Sequence, residues 1–287
     1  MRYIRVAREG EQRLIAADGD TAYDLTSAPD GPDSIERLLE SGPDSVCGLD
    51  RQAETYVPDA EQVESSAYDT LVPVNPAEVW AAGVTYEISE KARQEESDKP
   101  DVYIDVYESE RPEIFFKSTP SRTVGPGDPV GIRGDSNWNV PEPELAVVLY
   151  RGDIVGFTVG NDVSSRSIEG KNPLYLPQAK VYDRCCSLGP CVTSLGEIED
   201  PHDLEMTMRI HRDSDIVYDE TTTTGQMVRT CEELASYLTR HNVVPDLTVL
   251  LTGTALVPDD TFTLRENDRI EIHIEEIGTL ENGVVTV

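Results

Sequence analysis

Hydrophobic and polar residues alternate over many short stretches of the chain, and clusters of Gly, Pro and Asp separate these stretches from one another. An alternation with a period of two is typical of β-strands, and the separating clusters are typical of turns. The pattern therefore predicts a strand-rich protein. The predicted strands are RYIRVA, RLIAAD, EIFFKS, ELAVVLY, IVGFTVG, EMTMRIHR, TVLLTGTAL and RIEIHIEEIG.

Two segments follow a helical pattern instead. In RTCEELASYLTR, Thr230 and Glu233 have the spacing of a capping box, and the apolar residues that follow recur at helical intervals. A shorter helix is predicted near the N-terminus, where Asp33 precedes Glu36 by three residues. Helices are therefore expected at the margins of a structure that consists mainly of strands.

The order of these elements predicts an α+β, strand-rich chain with two units. Residues 1–70 form a small N-terminal α/β domain, in which two strands precede a short helix and a polar, acidic stretch serves as connector. Residues 71–287 form a larger unit, expected to be a sandwich, a barrel or a roll. A chain of 287 residues is long enough to bury a sizeable core.

The charge of the chain excludes some classes of partner. With 55 acidic and 24 basic residues, the formal net charge is −31. Nucleic acids and anionic membranes both require a basic surface, so neither is expected as a partner. Such an excess of acid is typical of proteins from salt-loving organisms, in which high ionic strength screens the repulsion. We therefore attribute the charge to habitat more than to function.

The sequence also favours a cytoplasmic location. No apolar run approaches the roughly 20 residues of a membrane span, and the N-terminus lacks the apolar core of a signal peptide. Five cysteines, an odd number, favour a reducing compartment. Cys185, Cys186 and Cys191 lie close together without a CxxC pair or an adjacent His, so we expect buried apolar side chains and no zinc site.

The stretch PEPELA contains the first candidate for chemistry. Glu142 and Glu144 lie two residues apart at the start of a predicted strand, so their side chains point to the same face. Two carboxylates at this spacing repel each other by roughly 2–3 kcal/mol at an effective dielectric constant of about 20. One interpretation is a solvent-facing edge strand, because Pro141 and Pro143 cannot donate to a sheet. The other is a metal site.

A third carboxylate favours the metal site. Asp162 follows the strand IVGFTVG, in a predicted loop, and a turn at Arg151–Asp153 would return it to the start of the preceding strand, beside Glu142 and Glu144. Three converging carboxylates suit a hard divalent cation with oxygen ligands. Mg²⁺ is therefore expected in preference to Zn²⁺, with Mn²⁺ or Ca²⁺ as alternatives.

The motifs EIFFKS, PEPELAVVL, GNDVSSR, QAK, LLTGT and DRIEIHIEEIG occur in an order that resembles the fumarylacetoacetate hydrolase superfamily, from about Val79 to the C-terminus. The resemblance implies a mixed β-sandwich roll behind a small N-terminal domain, in a homo-oligomer that is a dimer or a tetramer. It implies a catalytic role for Lys180 and Glu169. It also implies metal ligands at Glu142, Glu144 and Asp162, and substrate contacts at Lys117, Thr254, Tyr86 and Ser89.

One departure from the pattern of the superfamily narrows the range of expected reactions. Hydrolytic members use a His–Glu pair to activate water, and Ser89 stands at the position of that His, although Glu87 or Glu90 could substitute. Loss of a general base costs about 10²–10⁴ in rate. The chain is more similar to the 2-keto-3-deoxypentonate dehydratases of the superfamily. These enzymes convert 2-dehydro-3-deoxy-D-arabinonate to 2,5-dioxopentanoate in oxidative pentose degradation.

The resemblance implies a dehydration mechanism in which the cation binds the carboxylate and the C2 carbonyl of the substrate. Lys180 moves the C3 proton, and Glu169 or a metal-bound water assists the departure of the C4 hydroxyl. Arg166 is expected to orient Asp162 or a neighbouring loop. The alternatives are an acylpyruvate or fumarylacetoacetate-type hydrolase, an oxaloacetate decarboxylase, and a non-catalytic protein with a structural metal.

Overall fold

The computed structural model describes residues 1–8, 10–42, 48–64, 69–86 and 109–287. Within these ranges the chain forms mostly strands, as the sequence predicts. The strands are β1 (Arg2–Arg8), β2 (Glu11–Asp18), β3 (Thr21–Asp24), β4 (Glu61–Val63), β5 (Asp69–Thr70), β6 (Glu78–Gly83), β7 (Glu113–Ser118), β8 (Thr123–Val124), β9 (Val130–Ile132), β10 (Asn139–Val140), β11 (Pro143–Tyr150), β12 (Asp153–Asp162), β13 (Ser164–Ser165), β14 (Cys186–Ser194), β15 (Glu205–Arg212), β16 (Asp215–Thr223), β17 (Leu247–Leu251), β18 (Arg269–Ile274) and β19 (Gly278–Thr286). The α-helices are α1 (Ile35–Glu40), α2 (Leu49–Ala53), α3 (Arg166–Glu169), α4 (Leu176–Lys180) and α5 (Cys231–Thr239).

The strands form two main sheets. The larger sheet has the order β4-β3-β2-β1-β14-β12-β11-β17-β6-β7, with β5 paired to β1 and β8 paired to β14. The smaller sheet has the order β16-β15-β18-β19-β9, and β10 pairs with β13. Most neighbours are antiparallel, but β14 with β8, β17 with β6 and β19 with β9 are parallel. The predicted α+β class with mixed sheets is confirmed.

Strand β11 lies in the middle of the larger sheet, between β12 and β17, and all eight of its residues are buried. On one face, Leu145 and Val147 join a core that includes Met206 of the smaller sheet. On the other face, Ala146 joins a core that includes Leu38 of α1. A strand that is covered on both faces reads as a nearly continuous apolar run, as ELAVVLY does. The interpretation of this segment as a solvent-facing edge strand is therefore wrong.

The predicted hairpin between β11 and β12 is present. Tyr150 pairs with Asp153, and Glu144 pairs with Gly160 at the far end of the two strands. The two turn residues both have positive φ, 52° at Arg151 and 89° at Gly152. Two-residue hairpins favour this backbone because its twist matches that of the strands.

The hairpin therefore returns the end of β12 to the start of β11, as predicted. Asp162 is the last residue of strand β12 and not part of a loop, which corrects the expectation for that residue.

The two predicted helices are also present, with one correction. Thr230 caps α5, since its side chain accepts a hydrogen bond of 3.1 Å from the backbone N–H of Glu233. At α1 the cap is Ser34, which accepts from the backbone N–H of Arg37. Asp33 was expected to be that cap. It forms an ion pair with the Arg37 side chain instead.

The N-terminal strands continue the larger sheet, because β1 pairs with β14 at Arg2 and Tyr3. Helices α1 and α2 pack onto the same core as strands β11 and β17. The division into residues 1–70 and 71–287 stays a prediction. No helix in the described part of the chain has the length and hydropathy that crossing a bilayer requires.

Candidate active site

Three carboxylates converge where β11 begins and β12 ends. Glu142 precedes β11, Glu144 is its second residue, and Asp162 is the last residue of β12. One oxygen from each lies within 4.8 Å of the others, and all three side chains are buried. The backbone N–H of Asp162 donates to the carbonyl of Glu142 at 2.9 Å, which holds the two strands together at this point. The predicted convergence is confirmed, and we call these three residues the cage.

The donor set of the cage fits a hard divalent cation. All three ligand atoms are carboxylate oxygens, and no Cys or His belongs to the group. Mg²⁺ prefers such ligands and leaves coordination positions for water or substrate. Glu142, Glu144 and Asp162 are therefore the residues that would hold it.

Lys180, the last residue of α4, places its ammonium against the cage. It donates to Glu142 Oε2 at 2.8 Å, to Asp162 Oδ2 at 3.1 Å and to Ser164 Oγ at 2.6 Å. The side chain is 1% exposed, and its Nζ lies 5.5 Å from the centre of the Phe115 ring. A lysine from another element is thus brought to the carboxylates, as the resemblance implies.

Lys117 of β7 also contacts the cage. Its ammonium lies 2.5 Å from Asp162 Oδ1 and donates to the carbonyls of Val163 at 2.9 Å and Lys180 at 2.6 Å. Burial by itself lowers the pKa of Lys117, but the charge of Asp162 and the nearby thiols outweigh it, so the pKa rises above its ordinary value. The side chain is fully buried and is not among the described residues that line the cavity. The expected substrate contact of Lys117 stays a prediction.

Arg166, the first residue of α3, completes the set of cations. Its guanidinium lies 3.0 Å from Glu142 Oε1, in the loop before β11, which is one of the two positions expected from the sequence. Three side-chain cations now accompany three carboxylates, and the formal charge of the group is zero. The cations are Lys117, Lys180 and Arg166.

Glu144 is held by a backbone group. The N–H of Gly253, in the loop after β17, donates to Glu144 Oε2 at 2.5 Å. Burial, followed by the charges of Asp162 and Glu142, raises the pKa of Glu144 well above its ordinary value, although Lys180 and the Gly253 N–H oppose the rise. A bound cation would favour the ionised form of Glu144.

Position 253 requires a glycine, because of its backbone conformation and the atoms around it. Its φ is +87°, and a Cβ at this position would lie 2.1 Å from Thr85 Oγ1. Such a backbone is strained for residues with a side chain. The glycine of the TGT motif therefore allows the loop to aim its N–H at the cage.

A small cavity of about 20 Å³, enough for about one water molecule, adjoins the cage. Thr254 lines it, as expected, and its Oγ1 accepts from the backbone N–H of Leu256 at 3.1 Å. The wall is part polar and part apolar. The described lining residues are Ala82, Gly83, Val84, Phe115, Glu142, Glu144, Asp162, Arg166, Lys180, Gly253, Thr254 and Val257.

Two other predicted site residues, Glu169 and Tyr86, are buried. Glu169 is buried at the end of α3, and Tyr86 is fully buried with its hydroxyl bonded to no other described residue. Neither is among the described lining residues. Burial, with a smaller contribution from Glu144, raises the pKa of Tyr86. Ser89, together with Glu87, Glu90 and the rest of the segment 89–108, lies outside the described residues, so its predicted role stays a prediction.

The structure adds site residues that the sequence did not indicate. Ser164 bonds Lys180, Phe115 contacts the same ammonium, and Gly253 holds Glu144. A carboxyl oxygen of Glu113 lies 2.0 Å from where a Cβ of Gly83 would be, so this side chain packs against the cavity wall. Ser164 could have been found from its place in GNDVSSR. The others depend on contacts between distant parts of the chain.

Comparison with known proteins places these observations in context. The family model described as fumarylacetoacetate (FAA) hydrolase C-terminal matches residues 78–285. A relative from Haloferax volcanii, named a probable 2-keto-3-deoxyxylonate dehydratase, is 58% identical over the whole of both chains. A 2-dehydro-3-deoxy-D-arabinonate dehydratase from Saccharolobus solfataricus is 45% identical over 72% of each.

A solved structure shows the same fold. It is described as 2-keto-3-deoxy-D-arabinonate dehydratase complexed with magnesium and 2,5-dioxopentanoate. It superposes with a TM-score of 0.84 at 36% identity and covers 100% of this chain and 99% of its own.

Proposed function

The chain belongs to the fumarylacetoacetate hydrolase family, and from this premise we propose that it is a Mg²⁺-dependent hydro-lyase of oxidative pentose degradation. The proposed reaction converts 2-dehydro-3-deoxy-D-arabinonate, a 2-keto-3-deoxypentonate, to 2,5-dioxopentanoate. The names of two similar proteins and the contents of one similar structure support this substrate class. Chain-wide identity of 58% to one of them supports the same reaction more strongly than the fold does.

The charge balance of the cage is the main structural support for the proposal. Its three carboxylates are already matched by three side-chain cations, so a divalent cation would bring two uncompensated positive charges into a buried site. A 2-oxo acid carries one negative charge on its carboxylate and acquires a second on the C2 oxygen when it enolises. When bound, Mg²⁺ supplies Lewis-acid polarisation of the 2-oxo acid and stabilises that second charge. The site therefore suits enolisation.

Lys180 is the group that we propose moves the C3 proton. Its Nζ lies at the cavity wall within 3.1 Å of two cage oxygens, which fixes its direction. Accepting a proton requires the neutral amine, and giving it back requires the ammonium. Loss of the C3 proton and of the C4 hydroxyl amounts to loss of water, and tautomerisation then gives the C5 aldehyde.

A carboxyl group completes the proposed reaction by protonating the leaving hydroxyl. Glu169 is the candidate from the sequence, and it is buried three residues after Arg166. Glu113 is the candidate from the structure, since it packs against Gly83 of the cavity wall. Comparing Glu169→Gln with Glu113→Gln would assign the acid. The variant that lacks the true acid should lose more activity than the other, and the loss should be larger when the leaving group is poor.

We also propose that the enzyme works in the cytoplasm as a homo-oligomer, a dimer or a tetramer. The resemblance to the family supports the oligomer, and the cysteine content supports the reducing compartment. Sedimentation in high salt would measure the oligomeric state.

The proposed function is tested by supplying 2-keto-3-deoxypentonate in high salt and measuring 2,5-dioxopentanoate with a coupled dehydrogenase. We expect product formation that EDTA abolishes and Mg²⁺ restores. Asp162→Asn should remove both metal binding and activity while the fold is retained. Full activity of this variant in excess chelator would contradict the metal-dependent mechanism.

Assays of the same protein with other substrates distinguish the alternative functions. Acylpyruvate cleavage or release of CO₂ from oxaloacetate, with no turnover of the pentonate, would indicate a hydrolase or a decarboxylase instead. A non-catalytic protein with a structural metal would not bind pyruvate in a calorimetric titration with Mg²⁺ present. The proposed function requires that binding, since the cation must keep positions open for a 2-oxo acid.

A further inference from the structure

Lys117 differs from the other two cations of the site in where its donors point. Its ammonium has three N–H donors, and three acceptors surround it: Asp162 Oδ1, the carbonyl of Val163 and the carbonyl of Lys180. Lys180 and Arg166 line the cavity, whereas Lys117 is 0% exposed. Lys117 therefore contacts the cage and two backbone carbonyls and is not among the described residues that line the cavity.

The three acceptors belong to parts of the site that must keep a fixed relation to one another. Asp162 is a cage residue, Val163 is its neighbour, and the carbonyl of Lys180 ends the helix that carries the proposed proton-transfer group. A compact ammonium with three donors can hold three acceptors at once, which the planar fork of an arginine does not reproduce. Lys117 therefore joins the metal ligand to the backbone of the lysine.

The buried position of Lys117 also keeps its positive charge next to the cage. Because it is enclosed behind Asp162, its charge stays beside the cage whether or not the cavity is filled. A fixed positive charge at 2.5 Å from a ligand carboxylate reduces the attraction of the cage for any added cation. The same charge leaves more of that cation's positive potential available to the substrate.

We propose that Lys117 is a positioning residue that sets the charge of the cage: it lowers the affinity of the cage for Mg²⁺ and thereby raises the power of the bound ion to stabilise an enolate. This inference rests on the metal site of the proposed function, and not on the identity of the sugar acid. Its signature is a pair of effects with opposite signs. Removing the charge should tighten metal binding and slow turnover, whereas a purely structural lysine would weaken both.

The experiment compares two neutral variants. Lys117→Gln removes the charge but keeps two N–H donors, and Lys117→Met removes both. Mg²⁺ affinity is measured by calorimetry and by the rise in Tm on adding Mg²⁺ to chelator-treated protein. We expect Mg²⁺ to bind at least about tenfold more tightly to Lys117→Gln than to the wild type. We expect kcat/KM to fall at least about tenfold.

A matched control distinguishes an effect on the metal site from the general effect of removing a buried ion pair. Arg212→Met removes the cation beside Asp268, a carboxylate that is 2% exposed and 2.7 Å from the Arg212 Nη2. This variant should lower Tm and leave the Mg²⁺ affinity within about twofold of the wild type. An equal change of Mg²⁺ affinity in the control would overturn the proposal.

Two further outcomes would also overturn it. The first is weaker Mg²⁺ binding in Lys117→Gln and Lys117→Met, since that is what a structural role predicts. The second is failure of both variants to fold even in saturating Mg²⁺. The proposal expects the bound Mg²⁺ to compensate the cage carboxylates in place of the lost Lys117 charge, so the variants should fold when Mg²⁺ is present. The metal titration uses no sugar acid, so a wild type that binds Mg²⁺ without dehydrating the pentonate would refute the proposed function and leave this inference standing.

Discussion

At the scale of single residues, the main problem is how three buried carboxylates lie together. The oxygens lie within 4.8 Å of one another, so at an effective dielectric constant of about 20 each like-charged pair costs at least about 3.5 kcal/mol. Four contacts to side-chain cations oppose this cost, at 2.5 Å, 2.8 Å, 3.0 Å and 3.1 Å. These ion pairs therefore help to hold the three carboxylates together.

The first residue-scale prediction concerns Lys180→Met. Methionine keeps the length of the side chain but cannot transfer a proton, so kcat should fall by about 10²–10⁴. Mg²⁺ affinity should be at least that of the wild type, because the variant removes a cation that contacts Glu142 and Asp162. Calorimetry and the coupled assay measure the two quantities. A wild-type kcat would rule out the assigned role.

At the scale of elements, the site is made by a hairpin and a loop from distant parts of the chain. The hairpin of β11 and β12 brings Asp162 to the glutamates through local pairing alone. The loop after β17 reaches Glu144 from more than a hundred residues away and does so through the N–H of Gly253. The position of β17 beside β11 in the sheet makes that contact possible.

We predict that Gly253→Ala impairs the site. The positive φ and the contact with Thr85 Oγ1 require the loop to move, which draws the N–H away from Glu144. The free energy of unfolding should fall by about 2 kcal/mol or more, and Mg²⁺ affinity should fall with it. Chemical denaturation and calorimetry measure the two effects.

Gly127→Ala is the matched control for this change. Its φ of +79° imposes similar backbone strain, but no atom lies within 4 Å of the added Cβ. It should lower stability by about 1 kcal/mol without changing Mg²⁺ affinity. If both variants bind Mg²⁺ as the wild type does, the Gly253 N–H has no role in the site.

At the scale of the whole molecule, the net charge of −31 governs the conditions in which the protein is stable. Charge of one sign repels itself and favours expansion of the chain. The Debye length falls from about 10 Å at 0.1 M salt to about 3 Å at 1 M, so concentrated salt screens the surface. The buried ion pairs of the cage are screened much less.

Stability should therefore rise with KCl. Between 0.1 M and 2 M we expect Tm to increase by about 5 °C or more, which corresponds to roughly 2 kcal/mol for a chain of this size. Thermal unfolding would be followed with EDTA present, so that traces of divalent ion do not contribute. A Tm that is constant or lower in 2 M KCl would show that surface repulsion does not limit stability.

Local patterns in the sequence are enough to specify much of this protein. The alternating stretches located the strands, and the residues between β11 and β12 specified a hairpin that returns Asp162 to Glu142 and Glu144. These are local properties, because strand periodicity and turn geometry depend on neighbouring residues. The three carboxylates of the cage therefore follow from the sequence alone.

Packing between distant elements specified the remaining features of the site. It buried β11 on both faces, directed Lys117 behind the cage instead of into the cavity, paired Arg166 with Glu142, and brought Glu113 and Gly253 to the site. Each of these depends on which strands become neighbours across long stretches of chain, and local pattern does not contain that information. The sequence thus determined which carboxylates meet in the cage, and the tertiary packing determined how their charges balance.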